Sequence, residues 1–154
     1  MNQDTIEQVI TTELISLDEP PANKRDAIEY MLEVAVDAGR VTDREKALDA
    51  LLEREEQSTT GVGKGIGIPH AKTEAVSEPT VVFTRSSDGI DFDAMDGEPA
   101  TLLFMLLVPA EGGEQHLGIL SSLSRALMHD EVREDLHAAA SPANVKDIIV
   151  DALT

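Results

Sequence analysis

The feature that most constrains this chain is Leu102 to Val108, seven apolar residues in a row. A bilayer-spanning helix needs roughly 18 to 20 such residues, so the run is not a membrane span. An unbroken apolar run of this length reads as a buried strand, and Thr80 to Thr84, rich in Val and Phe, reads as another, with the turn-prone Ser86 to Gly97 between them. The flanking sequence supplies the helices that would cover them. Asn23 is a candidate N-cap for a helix with Ile28, Met31, Leu32 and Ala35 on one face, ending before Gly39. Thr42 to Glu45 fits a capping box, and Ala47, Leu48, Leu51 and Leu52 stripe a second helix to about Glu55. Leu117 to Leu127, then Val132 to Ala139, then the stretch after Ser141-Pro142 carry three more helical patterns. Leu14 to Leu17 is expected to be a short strand after a weak first helix, and Gln57 to Pro69 a loop feeding another at Ile66 and Ile68. Strands separated by helices predict an α/β fold, a mixed sheet with helices on both faces. No repeat, low-complexity tract or flexible linker divides residues 1–154, so one domain is expected.

Charge narrows the partners. Thirty Asp and Glu against 12 Lys and Arg leave a net charge of -18. Nucleic acid is excluded as a partner on this ground, because a phosphate backbone is bound by clustered cations that displace its counterions. The acid is spread along the chain, 16 acids to 8 bases up to Ser77 and 14 to 4 after it, so it is a surface property rather than a tail. An evenly acidic surface repels itself in dilute solution and is tolerable where concentrated salt shortens the Debye length to about 3 Å. A halophilic cytoplasm is the expected setting. The absence of cysteine removes disulfides, thiolate metal sites and thiol nucleophiles together.

The common motifs fail. Gly61 to Gly67 has Gly65 where a P-loop needs Ser or Thr, and Ile66 or Ile68 where a dinucleotide fingerprint needs its third glycine. No nucleophile elbow, zinc-protease motif or calcium loop is present, and no metal or cofactor is implied. What remains is His70, which follows the glycine-rich stretch within a window, Gln57 to Thr73, that holds Lys64 and Lys72 and no acid. An imidazole there, near neutral at cytoplasmic pH, suits a nucleophile, while the simpler alternative is a histidine bonded into a turn. The nearby glycines leave backbone N–H groups able to approach an anion, or serve only the turn.

The run Thr59 to Ala71, preceded by Leu52-Glu53-Arg54-Glu55-Glu56, resembles the signature of the fructose/mannitol-type enzyme IIA domains of the phosphoenolpyruvate-dependent sugar phosphotransferase system. The likeness continues through Leu102 to Pro109, Glu114 to Leu117 and Ser121 to Asp130. It implies that His70 accepts a phosphoryl group from the phosphocarrier protein HPr and passes it to a cysteine of a separate IIB component. It also implies that His116 and Arg54 steady the phosphoryl oxygens, with Gly61, Gly63, Lys64 and Gly65 supplying loop contacts. Lys64 stands where the mannitol branch carries an acid, which favours the fructose or nitrogen-regulatory branches. The resemblance thus implies a cytoplasmic fructose-system phosphocarrier, or alternatively a regulatory IIA that acts by binding. Val62 and Ile66 are expected to be exposed apolar contacts around His70.

Overall fold

The computed structural model describes residues 2–111 and 113–154, apart from the side chains of residues 113–117. The apolar run lies in β5 (Ala100–Val108), whose residues are buried except for half-buried Thr101. Its side chains alternate between two cores. Leu102, Phe104, Leu106 and Val108 join one, and Leu103, Met105 and Leu107 join the other. This alternation is why the strand needs apolar residues at every position rather than at every second one.

The partners of β5 make the sheet mixed. β4 (Thr80–Ile90) pairs with it antiparallel along one edge. Along the other edge β2 (Ile66–Gly67) and β3 (His70–Lys72) both run parallel to it. Ile66 stands opposite Leu102 and His70 opposite Leu106, so β2 and β3 form one line interrupted at Ile68-Pro69. β1 (Gly61–Gly63) pairs antiparallel with β2 as a short hairpin. The expected loop from Gln57 to Pro69 is therefore a hairpin, and the strand expected from Thr80 to Thr84 runs on to Ile90 in place of a turn.

Helices cover both faces, as expected. On one side α2 (Lys24–Asp37) and α3 (Arg44–Gln57) bury Met31, Leu32, Leu48 and Leu51. On the other, α1 (Gln3–Val9), α4 (Gly113–Leu127), α5 (Asp130–Ala138) and α6 (Pro142–Leu153) enclose the Phe83–Phe104 edge-to-face pair, 5.0 Å between centroids. Asn23 caps α2 and Ser141 caps α6, each accepting from a backbone N–H three residues on. At α3 the cap is Asp43 rather than Thr42, because Thr42 donates its hydroxyl to the Ala75 carbonyl at 3.0 Å. Leu14 to Leu17 is not a strand. A 3-10 turn at Thr12–Leu14 leaves only Ile15 bridged to Phe83. No helix among the described residues is long and apolar enough to cross a membrane.

Candidate functional site

His70 is the first residue of β3, at the end of the interruption in the β2–β3 line. Pro69 has no N–H to give a ladder, though its carbonyl accepts from Leu106 N at 3.0 Å and keeps the strand line attached. The Ile68 carbonyl is turned to the imidazole, 2.7 Å from Nδ1. A carbonyl only accepts, so Nδ1 carries the proton, and in the neutral ring the lone pair sits on Nε2.

α3 packs against β3 and brings its last turn over the histidine. The result is an open cleft of about 290 Å³ lined by His70 and Lys72 from β3 and by Glu53, Arg54 and Gln57 from α3. Arg54 is half-buried and held by Ser58, whose carbonyl accepts from its Nη1 at 3.0 Å. This anchor closes the C-terminal end of α3, where a cation is favoured by the helix dipole. Burial pushes the His70 proton affinity below the ordinary histidine value of 6.5, against the raising effect of the Ile68 carbonyl. The Arg54 charge lowers it further and Glu55 opposes Arg54. The ring is neutral near pH 7, a nucleophilic nitrogen beside a fixed cation.

The other predicted site residues divide. His116 belongs to α4, and its side chain lies outside what the structure describes. Gly61, Gly63, Lys64 and Gly65 are not brought to the cleft. Lys64 and Gly65 form the turn of the β1–β2 hairpin, both with positive φ, and this turn packs against the segment before β5. At about 3.3 Å per residue along a strand, five residues put the turn roughly 16 Å from His70. Two of the amides expected to approach an anion are already engaged: Lys64 N in the turn donates to Asp96 at 2.8 Å and Gly61 N at the start of β1 donates to the Thr59 hydroxyl at 2.9 Å. The carboxylate of Asp96 fills the place expected for a phosphate. Val62 is exposed as expected, but Ile66 turns into the core on one face of the sheet, with Leu102 and Phe104.

Sequence reasoning left out Gln57 and Lys72 as cleft residues. Lys72 is readable only once β3 is known, being two residues along the same edge strand as His70. Among the described residues no group of three His, Asp or Glu side chains is placed to hold a metal ion.

A small α/β domain bonds a histidine through its Nδ1–H and sets an arginine in the same open cleft. The chain belongs to the family of enzyme IIA components described as phosphoenolpyruvate-dependent sugar phosphotransferase system, EIIA 2, whose model matches residues 8–152. It is 63% identical over 153 residues to a fructose-specific EIIA component of the phosphotransferase system from Haloferax volcanii, covering 99% of both chains. The crystal structure of nitrogen regulatory protein IIA-Ntr from Neisseria meningitidis superposes with a TM-score of 0.83 at 30% identity, over 94% of this chain and 98% of that one. Enzyme IIAMTL of Escherichia coli, solved in complex with phosphorylated enzyme IIBMTL, superposes with a TM-score of 0.79 at 26% identity, over 92% and 97%.

Proposed function

We propose that this protein is the phosphocarrier of a fructose phosphotransferase system, accepting a phosphoryl group from phospho-HPr on His70 and passing it to a cysteine of a separate IIB component. The observation that carries the reading is the 2.7 Å bond from His70 Nδ1 to the Ile68 carbonyl, because it leaves Nε2 as the nucleophile in a cleft shared with Arg54. In the first step Nε2 attacks phosphorus in line, the Nε2–P bond forms, and the N–P bond of the donor histidine breaks. The phosphorylated ring keeps its Nδ1 proton on Ile68. In the second step a IIB thiolate attacks, the S–P bond forms, and His70 leaves as the neutral imidazole.

Such a transfer has a loose transition state with charge spread over three equatorial oxygens, so positioning and charge neutralisation are what the domain must supply. Arg54 provides a planar donor set suited to phosphate. By family resemblance His116 adds a second donor. These 154 residues hold no cysteine, so the acceptor thiol lies outside them. The Escherichia coli complex with a IIB protein supports a docking step of this kind. The fructose-specific Haloferax relative supports fructose as the sugar, and that relative together with the charge of -18 supports a halophilic cytoplasm.

The test is intact mass in molar KCl after incubation with phosphoenolpyruvate, enzyme I and HPr, wild type against His70→Ala. Gain of one phosphoryl group by the wild type alone is expected. No gain in the wild type with HPr shown to be phosphorylated refutes the carrier. The likeness to a nitrogen regulatory protein favours a second reading, in which the phosphorylated domain acts by binding. Phospho-His70 that fails to discharge to a fructose IIB would establish that reading instead.

A further inference from the structure

One buried carboxylate is not among the groups that the transfer as described above uses. Glu55 follows Arg54 in the last turn of α3, and its side chain is only 8% exposed. Its Oε2 accepts from the Thr60 amide at 3.0 Å and pairs with Lys24 Nζ of α2 at 2.9 Å, while Oε1 accepts from the Thr60 hydroxyl. Burying a carboxylate costs free energy unless its acceptor sites are filled, and here both oxygens are engaged. The network then continues. The Thr60 carbonyl accepts from Ile68 N at 2.9 Å, and the Ile68 carbonyl accepts from His70 Nδ1 at 2.7 Å. An unbroken run of polar contacts thus leads from Lys24 through Glu55, Thr60 and Ile68 to the imidazole.

The same short segment holds both halves of the site. Ser58 anchors Arg54 and Thr60 anchors Ile68, so residues 58–60 set the guanidinium and the ring together. The side chain that fixes this segment to α3 is Glu55. A tie that served stability alone would be expected to end in the core, whereas this one ends on the reacting side chain.

We propose that Glu55 is a positioning residue for phosphoryl transfer: through Thr60 and Ile68 it holds the His70 ring in the Nδ1–H tautomer and keeps Nε2 in register with Arg54. The proposal rests on the reading of His70 as the phosphoryl acceptor. The charged groups around the ring are Arg54 and Glu55, with Glu53 and Lys72 lining the same cleft. The Glu55 charge favours protonation of the ring, so its removal lowers the His70 proton affinity.

The test uses the full chain in molar KCl with Glu55→Gln, Thr60→Val and Thr60→Ser. Imidazole nitrogen NMR reads the tautomer of His70, and single-turnover uptake from phospho-HPr reads the chemistry. In Glu55→Gln and Thr60→Val the Nδ1–H form should lose its dominance and uptake should slow, by up to about a hundredfold if the ring moves by an ångström. His129 and His137 should be unchanged, and Thr60→Ser, which keeps the hydroxyl, should restore both readouts. A wild-type tautomer and wild-type uptake in Glu55→Gln and Thr60→Val would overturn the proposal. Should Glu55→Gln not fold, the two Thr60 variants decide the matter by the same readouts. If the wild type itself takes no phosphate, the carrier reading fails, and the tautomer comparison still decides whether Glu55 sets the ring.

Discussion

Replacing Arg54 separates the proposed phosphate ligand from a helix cap, because this side chain both lines the cleft and holds the end of α3. Its guanidinium lines the His70 cleft and also donates to the Ser58 carbonyl at the end of α3. Hydrogen bonds to charged groups contribute about 1.5 to 3 kcal/mol, and half-burial puts Arg54 near the lower end. At about 1.4 kcal/mol per factor of ten, Arg54→Ala should slow phosphoryl uptake about tenfold. The cap and the helix dipole together contribute about 1 kcal/mol of stability, a fall of roughly 2 to 4 °C in Tm for a chain of this size. Arg54→Lys distinguishes the two roles. An ammonium satisfies the dipole but not the planar two-donor geometry that a phosphoryl group meets in a guanidinium. The lysine variant should therefore regain the Tm while its uptake stays slow. Rapid-quench single turnover with phospho-HPr in molar KCl, read by intact mass, measures the rate, and thermal melts by circular dichroism measure the rest. Wild-type uptake by Arg54→Ala, or recovery of both quantities by Arg54→Lys, would refute a phosphate role.

Acid should loosen the fold through its histidines. His70 and His137 both have lowered proton affinity, each first from burial, so the unfolded chain binds more protons than the folded one below about pH 6.5, and stability falls as pH drops through that value. Urea titrations from pH 7.5 to 5.5 should show this slope, and it should shrink in His70→Asn and again in His137→Asn. Lys64→Ala should leave phosphoryl uptake at the wild-type rate, since the hairpin turn stands away from the cleft; a severalfold loss in single turnover would put the turn back in the site. The melting temperature should rise from dilute buffer to molar KCl as the charge of -18 is screened, and a Tm that does not move would refute the halophilic reading.

How much of this was legible in the sequence follows from the range of the interactions involved. Helix ends depend on neighbours three residues away, so the caps Asn23 and Ser141 could be read directly. The apolar run of β5 announced a strand covered on both faces because nothing polar interrupts it. The cap of α3 was misplaced by one residue, since the Thr42 hydroxyl is taken by Ala75, a contact 33 positions away. The turn at Lys64 is ambiguous in the sequence for the same reason. Glycines that spare backbone for an anion and glycines that tighten a hairpin look alike until Asp96, 32 positions on, is seen filling the turn. His70 stands out in the sequence by its acid-free window, but the orientation of its ring depends on the Ile68 carbonyl, which no periodicity encodes.

Sheet topology explains why the hairpin precedes His70 without lining its cleft. β1 covers the outer edge of β2 only as far as Thr60, whose carbonyl takes the Ile68 amide. Beyond that point the chain turns away into α3, and β3 has β5 as its one strand partner among the described residues. His70 therefore stands on an edge strand whose open side faces the last turn of α3, and Arg54 occupies that side. A longer β1 would cover this edge with backbone and leave no opening for a partner protein. A shorter one would leave Ile68 without its Thr60 contact and the ring without a fixed acceptor. Positive φ at Gly63, Lys64 and Gly65 lets the hairpin turn tightly at the far end of β1.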